Sequence, residues 1–169
     1  MNTPNFFPAR QVTDKRGTFT KQEIKKLGFN FEIKDFFVTT SENSVIRGMH
    51  WQDKPCDTNR IVTLLSGQIF DVVVDMRPNS PDFGKCQSWN LDSSTPGFLF
   101  IPKGFAHGYQ VLSSEGVVAY LTDGDYCPEH DKGVLWSSIP TQWPIRNPIV
   151  SARDINFPTL SSYRAGKQL

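Results

Sequence analysis

From residue 36 onward, short runs of β-branched, aromatic and aliphatic residues alternate with breaks rich in glycine, proline, aspartate and serine, and no stretch of helical period lies between them. Residues 36–40, 44–51, 61–65, 68–75, 87–91, 98–101, 108–112 and 116–121 read as strands. The breaks are residues 53–59, 66–67, 78–84, 92–97 and 102–105. Strands at this spacing, without intervening helices, argue for an all-β sandwich or jelly-roll barrel. One short helical segment, residues 21–27 ended by Gly28, precedes them. Residues 140–169 carry Pro140, Pro144, Pro148 and Pro158 and are expected to form an extended wrap with a poorly ordered end.

A length of 169 residues fits one domain spanning 1–169. With 38% hydrophobic and 21% charged residues the chain can bury a real core, so global disorder is excluded. Eighteen Lys and Arg against seventeen Asp and Glu leave a net charge of +1, too small a field to hold a nucleic-acid backbone or an anionic membrane. Any bound anion should be small and locally held. The first ten residues contain Phe6 and Phe7 but no apolar run of signal-peptide length, and no window approaches the roughly 20 apolar residues of a membrane span. A cytoplasmic protein is expected. Cys56, Cys86 and Cys127 are odd in number and lack any CxxC pair, so three reduced structural thiols are expected rather than a disulfide framework or a thiolate metal cluster.

If Ser66-Gly67 is a two-residue hairpin turn, Val62 faces Asp71, and Arg60, Val62, Leu64, Ile69, Asp71 and Val73 share one face. A cation and a carboxylate on an otherwise aliphatic face form either a structural ion pair or the wall of a polar pocket. His50 lies mid-strand, His107 lies in a glycine-flanked segment, and His130 sits in a polar loop. Strict alternation places Arg47 and His50 on opposite faces, unless Gly48 hosts a bulge that turns both toward one mouth. No His-x-His exists, and only His50 and His107 could contribute donors, so no metal is expected.

The runs Asp14-Lys15-Arg16-Gly17-Thr18-Phe19, Ile46-Arg47-Gly48-Met49-His50-Trp51-Gln52 and Ser66 through Arg77 strongly resemble the dTDP-4-dehydrorhamnose 3,5-epimerase family. Ser80-Pro81-Asp82-Phe83-Gly84, Ile101 through Gly108, Tyr120 with Tyr126-Cys127-Pro128-Glu129, Trp143-Pro144 and Ser151-Ala152-Arg153-Asp154 continue it in order, over roughly residues 10 to 160. The resemblance implies a cupin-type jelly roll without metal or cofactor, acting on a nucleotide-linked 4-keto-6-deoxy sugar. The C4 ketone acidifies the hydrogens on C3 and C5; a base removes one, an enolate forms, and an acid on the other face returns a proton. By the same resemblance His50 is the base, Asp154 orients it, Tyr120 is the acid and Arg60 stands beside the enolate oxygen. Asp71 and His107 match pocket residues, Arg16 and Arg47 match diphosphate contacts, and Phe19 and Tyr126 match pocket aromatics.

Three departures bear on the substrate. The family's lysine is Arg60 here, its Arg-Gly-x-Phe-x-Glu ends in Lys21, and its Gln-x-Asn is replaced by Asp35-Phe36-Phe37 or, with a short gap, by Phe37-Val38-Thr39. The leading expectation is a 3,5-epimerase on dTDP-4-keto-6-deoxy-D-glucose. The same enolisation on a CDP- or GDP-linked, dideoxy or amino sugar, at one centre or as a ketoisomerisation, stands second. A non-catalytic sugar-binding module stands last. Family members form homodimers by strand exchange near the N-terminus, and Phe6 and Phe7 are candidate interface residues.

Overall fold

The computed structural model describes residues 1–28 and 30–165. The chain opens with β1 (Asn5–Pro8), followed by a hairpin of β2 (Arg10–Asp14) and β3 (Gly17–Lys21). Next come β4 (Asp35–Glu42), β5 (Val45–Gln52), β6 (Arg60–Ser66) and β7 (Gln68–Asp75). They are followed by β8 (Cys86–Asp92), β9 (Gly97–Ile101), β10 (Phe105–Val111) and β11 (Glu115–Thr122). The C-terminal segment adds β12 (Asp131–Gly133), β13 (Ile149–Val150), α1 (Ala152–Ile155) and α2 (Leu160–Ala165). One sheet runs β1-β9-β6-β11-β4; the other runs β12-β5-β10-β7-β8, with β13 added in parallel to β5. Facing each other, they make the jelly roll that the strand spacing allows, of the cupin type that the resemblance implies.

Each of the eight expected strands exists, displaced at its ends by three residues at most. The expected hairpin across Ser66-Gly67 does not. β6 pairs with β11 and β9, whereas β7 pairs with β10 and β8, so the turn carries the chain from one sheet to the other. Gly67, at φ +89°, makes this corner because a Cβ there would run into the Glu115 carbonyl oxygen. Side-chain parity is the same for a ladder and for two opposed walls. Val62, Leu64, Ile69 and Val73 therefore do share one core, looking at each other across the sandwich.

That core, with Leu99, Tyr109, Val118 and Tyr120, fills the space between the sheets. A second cluster covers the outer face of the β5-β10-β7 region, where Met49, Trp51, Val72, Val74 and Ala106 meet Val134, Ile139 and Leu160. The C-terminal segment is thus a folded cover carrying two short helices, a correction to the extended wrap. Tyr163 packs edge-on against Trp51 at 5.5 Å and donates its hydroxyl to the Gly133 carbonyl at 3.0 Å, so aromatic burial outweighs the prolines. The expected poor order of the last residues falls on 166–169, outside the described residues.

At the N-terminus, the expected helix over residues 21–27 shrinks to a 3-10 turn at Ile24–Leu27, capped by Gly28, because Lys21 is already the last residue of β3. Phe7 stacks on Phe98 at 4.9 Å and Phe6 packs against the central core, so both serve their own chain's interior. What stands out instead is the β2-β3 hairpin, exposed along its whole length, with Val12 half exposed and Phe19 64% exposed. No helix among the described residues is long and apolar enough to cross a membrane.

Candidate active site

The two sheets part at one end around a cavity of about 780 Å³. His50, Tyr120, Asp154, Arg60, Arg47, His107 and Tyr126, all singled out in the sequence, line it together. His50 and His107 face one another across neighbouring strands β5 and β10. Tyr120 comes from β11 in the opposite sheet. The cavity therefore has an imidazole on one wall and a phenol on the other.

Gly48 makes this possible. It sits at φ +131°, and a Cβ there would lie 2.5 Å from the Gly108 Cα. The β5-β10 register shifts at this point, so alternation breaks and both Arg47 and His50 reach the cavity while Met49 packs into the outer cluster. The bulge left open by the sequence is present.

β13 runs along β5, with Val150 beside Ile46, and delivers α1 to the same place. Ser151 caps α1 by accepting the Asp154 N–H at 3.0 Å. Asp154 is 4% exposed; its Oδ1 lies 2.8 Å from His50 Nε2, and its Oδ2 accepts the Gly48 N–H at 3.2 Å. Burial alone would raise this carboxyl's pKa. The hydrogen bonds from His50 and Gly48, and the attraction of the imidazolium, override it and hold Asp154 below the usual carboxylate range. Bonded in this way, the neutral imidazole carries its proton on Nε2 and leaves Nδ1 as the free base.

Burial, followed by the neighbouring Tyr109 and Asp71, pushes the Tyr120 phenol well above its ordinary pKa; Thr39 and Arg60 pull the other way with less effect. The Phe37 ring stacks on it at 4.6 Å and His107 meets it edge-on at 5.9 Å. Arg60 Nη1 donates to the His50 carbonyl oxygen at 3.0 Å, tying β6 to β5 across the mouth. Burial lowers the Arg60 pKa, opposed by the charges of Tyr120 and Asp131. Asp71 stands behind the cavity wall, fully buried, with Oδ2 2.8 Å from His107 Nε2. The Arg60–Asp71 alternatives resolve into a pocket wall: Asp71 holds His107, and Arg60 points to the mouth.

Arg47 Nε donates to Ser41 Oγ at 2.7 Å and Nη2 to the Thr40 carbonyl oxygen at 3.4 Å, with Nη1 left at the rim of the cavity. Tyr126 is 59% exposed, and its hydroxyl donates to Asp131 Oδ2 at 2.9 Å, an oxygen that also accepts from Arg153 Nη2 at 2.7 Å. Asp131 and Arg153 line the cavity without having been singled out. Arg153 stands inside the quoted Ser151–Asp154 motif; Asp131 had no local signal. Thr39, rather than only Phe37, comes from β4 into the cavity.

Arg16, Phe19 and Lys21 do not join this constellation. They lie on the exposed β2-β3 hairpin, where Arg16 is paired with Asp14 at 2.6 Å. The cysteine expectation also fails in part. Cys56 and Cys127, 71 residues apart, form a disulfide that ties the 53–59 loop to the loop bearing Tyr126, while Cys86 is free. Two loops at the ends of strands in different sheets meet on one rim, a proximity that spacing along the chain does not encode. Among the described residues, no three His, Cys, Asp or Glu side chains are grouped to hold a metal ion.

The family model described as dTDP-4-dehydrorhamnose 3,5-epimerase matches residues 5–162. A dTDP-4-dehydrorhamnose 3,5-epimerase of Shigella flexneri is 38% identical over 157 residues, covering 89% of this chain and 87% of that protein. A dTDP-4-dehydrorhamnose 3-epimerase of Streptomyces niveus is 31% identical over 151 residues, covering 85% and 73%. The crystal structure of dTDP-4-dehydrorhamnose 3,5-epimerase from Bacillus anthracis with TDP and PPi bound superimposes with a TM-score of 0.87 at 34% identity, covering 92% and 93%. With the family model matched over residues 5–162, a relative 38% identical over most of both chains and the fold shared over nearly the whole length, the chain belongs to the dTDP-4-dehydrorhamnose 3,5-epimerase family.

Proposed function

We propose that this single-domain protein is an isomerase that inverts both C3 and C5 in a nucleotide-linked 4-keto-6-deoxy sugar, with dTDP-4-keto-6-deoxy-D-glucose as the preferred substrate. The observation that carries the reading is the placement of His50 and Tyr120 on opposing sheets across one cavity. Inversion needs a base on one side of the ring and a proton donor on the other. His50 Nδ1 takes the proton from the carbon next to the ketone, and Asp154 steadies the resulting imidazolium. Arg60, with His107 held by Asp71, faces the developing enolate oxygen. Tyr120, kept protonated by its burial, gives a proton to the opposite face of the carbon.

The nucleotide lies toward the rim, where Arg47, Arg153 and Tyr126 offer guanidinium groups and an aromatic face to a diphosphate and base. Arg16, Phe19 and Lys21 enter the account through a homodimer. The exposed hairpin reaches the cavity of a second copy, contributing Arg16 and Phe19 there, and the exposed Phe36 and Val38 of the β4 edge offer it a place to pair. Nucleic acid and membrane are not partners on this reading, and a pool of activated sugars places the enzyme in the cytoplasm, where the Cys56–Cys127 disulfide would face reducing thiols. Inversion at a single centre is the second reading, favoured by Arg60 and Phe37 reshaping the pocket and by the 3-epimerase among the relatives. Incubation with the dTDP sugar in deuterium oxide tests both: label at C3 and C5 supports the first, label at one carbon the second, and none removes the dTDP reading in favour of CDP or GDP sugars.

A further inference from the structure

Residues 123–130 cross from one sheet to the other, from the end of β11 at Thr122 to the start of β12 at Asp131. Tyr126 stands midway along the crossing and is mostly exposed, so packing does little to fix its ring. Its pose is set by what holds the backbone on either side. Asn59 grips the beginning of the crossing, donating its N–H to Asp123 Oδ1 at 2.8 Å and its Nδ2 to Asp123 Oδ2 at 2.6 Å. The Asp53 N–H holds the end, donating to the His130 carbonyl oxygen at 2.9 Å.

The middle is held by the side chain of Gln52, the last residue of β5, two positions after His50. Its Nε2 donates to the Asp125 carbonyl oxygen at 3.1 Å, and its Oε1 accepts the Cys127 N–H at 2.6 Å. Both ends of the carboxamide are thus engaged by the two residues that flank Tyr126. A carboxamide presents a donor and an acceptor as a peptide group does, so Gln52 continues the pairing of β5 beyond its last ladder partner, Asp131. Gln52 is buried, where either bond left unmade would be costly. The Tyr126 hydroxyl, donating to Asp131 Oδ2, then fixes the tip of the ring.

We propose that Gln52 is a positioning residue for the sugar nucleotide: by clamping Asp125 and Cys127 it holds Tyr126 at the rim in the pose that receives the nucleobase. Gln52, His50 and Tyr126 line the same cavity, and because Gln52 shares β5 with His50, one strand sets the span from the Tyr126 ring to the catalytic imidazole. A ring already in the binding pose needs no ordering when the ligand arrives. A released ring binds only through the fraction of time it spends there, and the apparent affinity falls by that fraction. The Cys56–Cys127 bridge holds the same segment through a side chain, from the 53–59 loop, and leaves the Asp125 side of Tyr126 to Gln52. Gln52 acts through Tyr126, and the inference rests on the epimerase reading above, with Tyr126 at the nucleotide.

Gln52→Leu removes both bonds, whereas Gln52→Glu keeps the acceptor for Cys127 at nearly the same size and loses the donor for Asp125. In steady-state turnover of dTDP-4-keto-6-deoxy-D-glucose at neutral pH, both variants should raise KM roughly tenfold and leave kcat within about twofold of wild type. Tyr126→Ala should raise KM as well, and adding Gln52→Glu to it should change KM no further. Should Gln52→Leu not fold, Gln52→Glu decides alone. Wild-type KM in the folded Gln52 variants would overturn the inference. So would KM increases that multiply in the double variant, which mark a Gln52 acting independently of Tyr126, and so would a lowered kcat at unchanged KM, which marks a displaced His50. A wild-type protein inactive on dTDP, CDP and GDP 4-keto sugars would instead remove the epimerase reading, and the role of Gln52 with it.

Discussion

His50 and Asp154 are separated by 104 positions and joined by one 2.8 Å contact, and the proposed chemistry depends on that contact more than on any other. Removing the base (His50→Ala) or the phenolic proton (Tyr120→Phe) should leave the circular dichroism spectrum unchanged and lower kcat by about 10²–10⁴-fold. Wild-type rates in both variants would refute the assignment of base and acid. The Asp154 carboxyl is held below its unfolded pKa of about 3.9. Its ionised form therefore contributes stability that is fully present above about pH 4 and is lost as pH falls through the lower folded value. Denaturation curves across that range should show Asp154→Asn losing part of the wild-type acid dependence. At Gly48, alanine would have to adopt φ +131° with its Cβ on Gly108, so Gly48→Ala should cost about 1–3 kcal/mol in urea denaturation and displace both Arg47 and His50.

Among the elements, the Cys56–Cys127 bridge and the β2-β3 hairpin make separate demands. The bridge closes 71 residues of chain and anchors the loop that carries Tyr126. Cys56→Ser should lower the thermal midpoint by roughly 5–15 °C relative to the oxidised protein, and a dithiol reductant should erase the difference. If the hairpin completes its partner's site, mixing Arg16→Ala with His50→Ala chains should recover, at low substrate, roughly a quarter of wild-type activity, because half the dimers carry one intact site. No recovery on mixing would separate the hairpin from the cavity. The same elements show what the sequence made legible. Strands β5, β7 and β11 were readable because runs of β-branched, aliphatic and aromatic residues between breaks rich in glycine, serine and aspartate mark them locally. Gly48 announced the one place where alternation could fail. The pairing of β6 and β7 was not readable, since a ladder and two opposed sheets bury the same side chains. Nor were the disulfide, Asp131 or the C-terminal helices, all fixed by contacts between distant segments. Of the eleven site residues singled out in the sequence, the fold brings seven together in the cavity; the other four are the three hairpin residues and Asp71 behind the wall.

The whole molecule is two sheets that close on an aliphatic core at one end and part around a cavity at the other. A nearly neutral chain sets three of its eight arginines, Arg47, Arg60 and Arg153, around that cavity, where a diphosphate-linked sugar would lie. Because base and acid stand on different sheets, sliding of one sheet against the other would separate them, and the Arg60 bond to the His50 carbonyl resists it. The central claim is that this cavity exchanges protons at carbons flanking a ketone. Proton NMR of the protein with dTDP-4-keto-6-deoxy-D-glucose in deuterium oxide follows C3 and C5 separately. The account predicts loss of both signals, the appearance of product signals, and neither change with His50→Ala. Persistence of both signals with wild-type protein on dTDP, CDP and GDP sugars alike would contradict it.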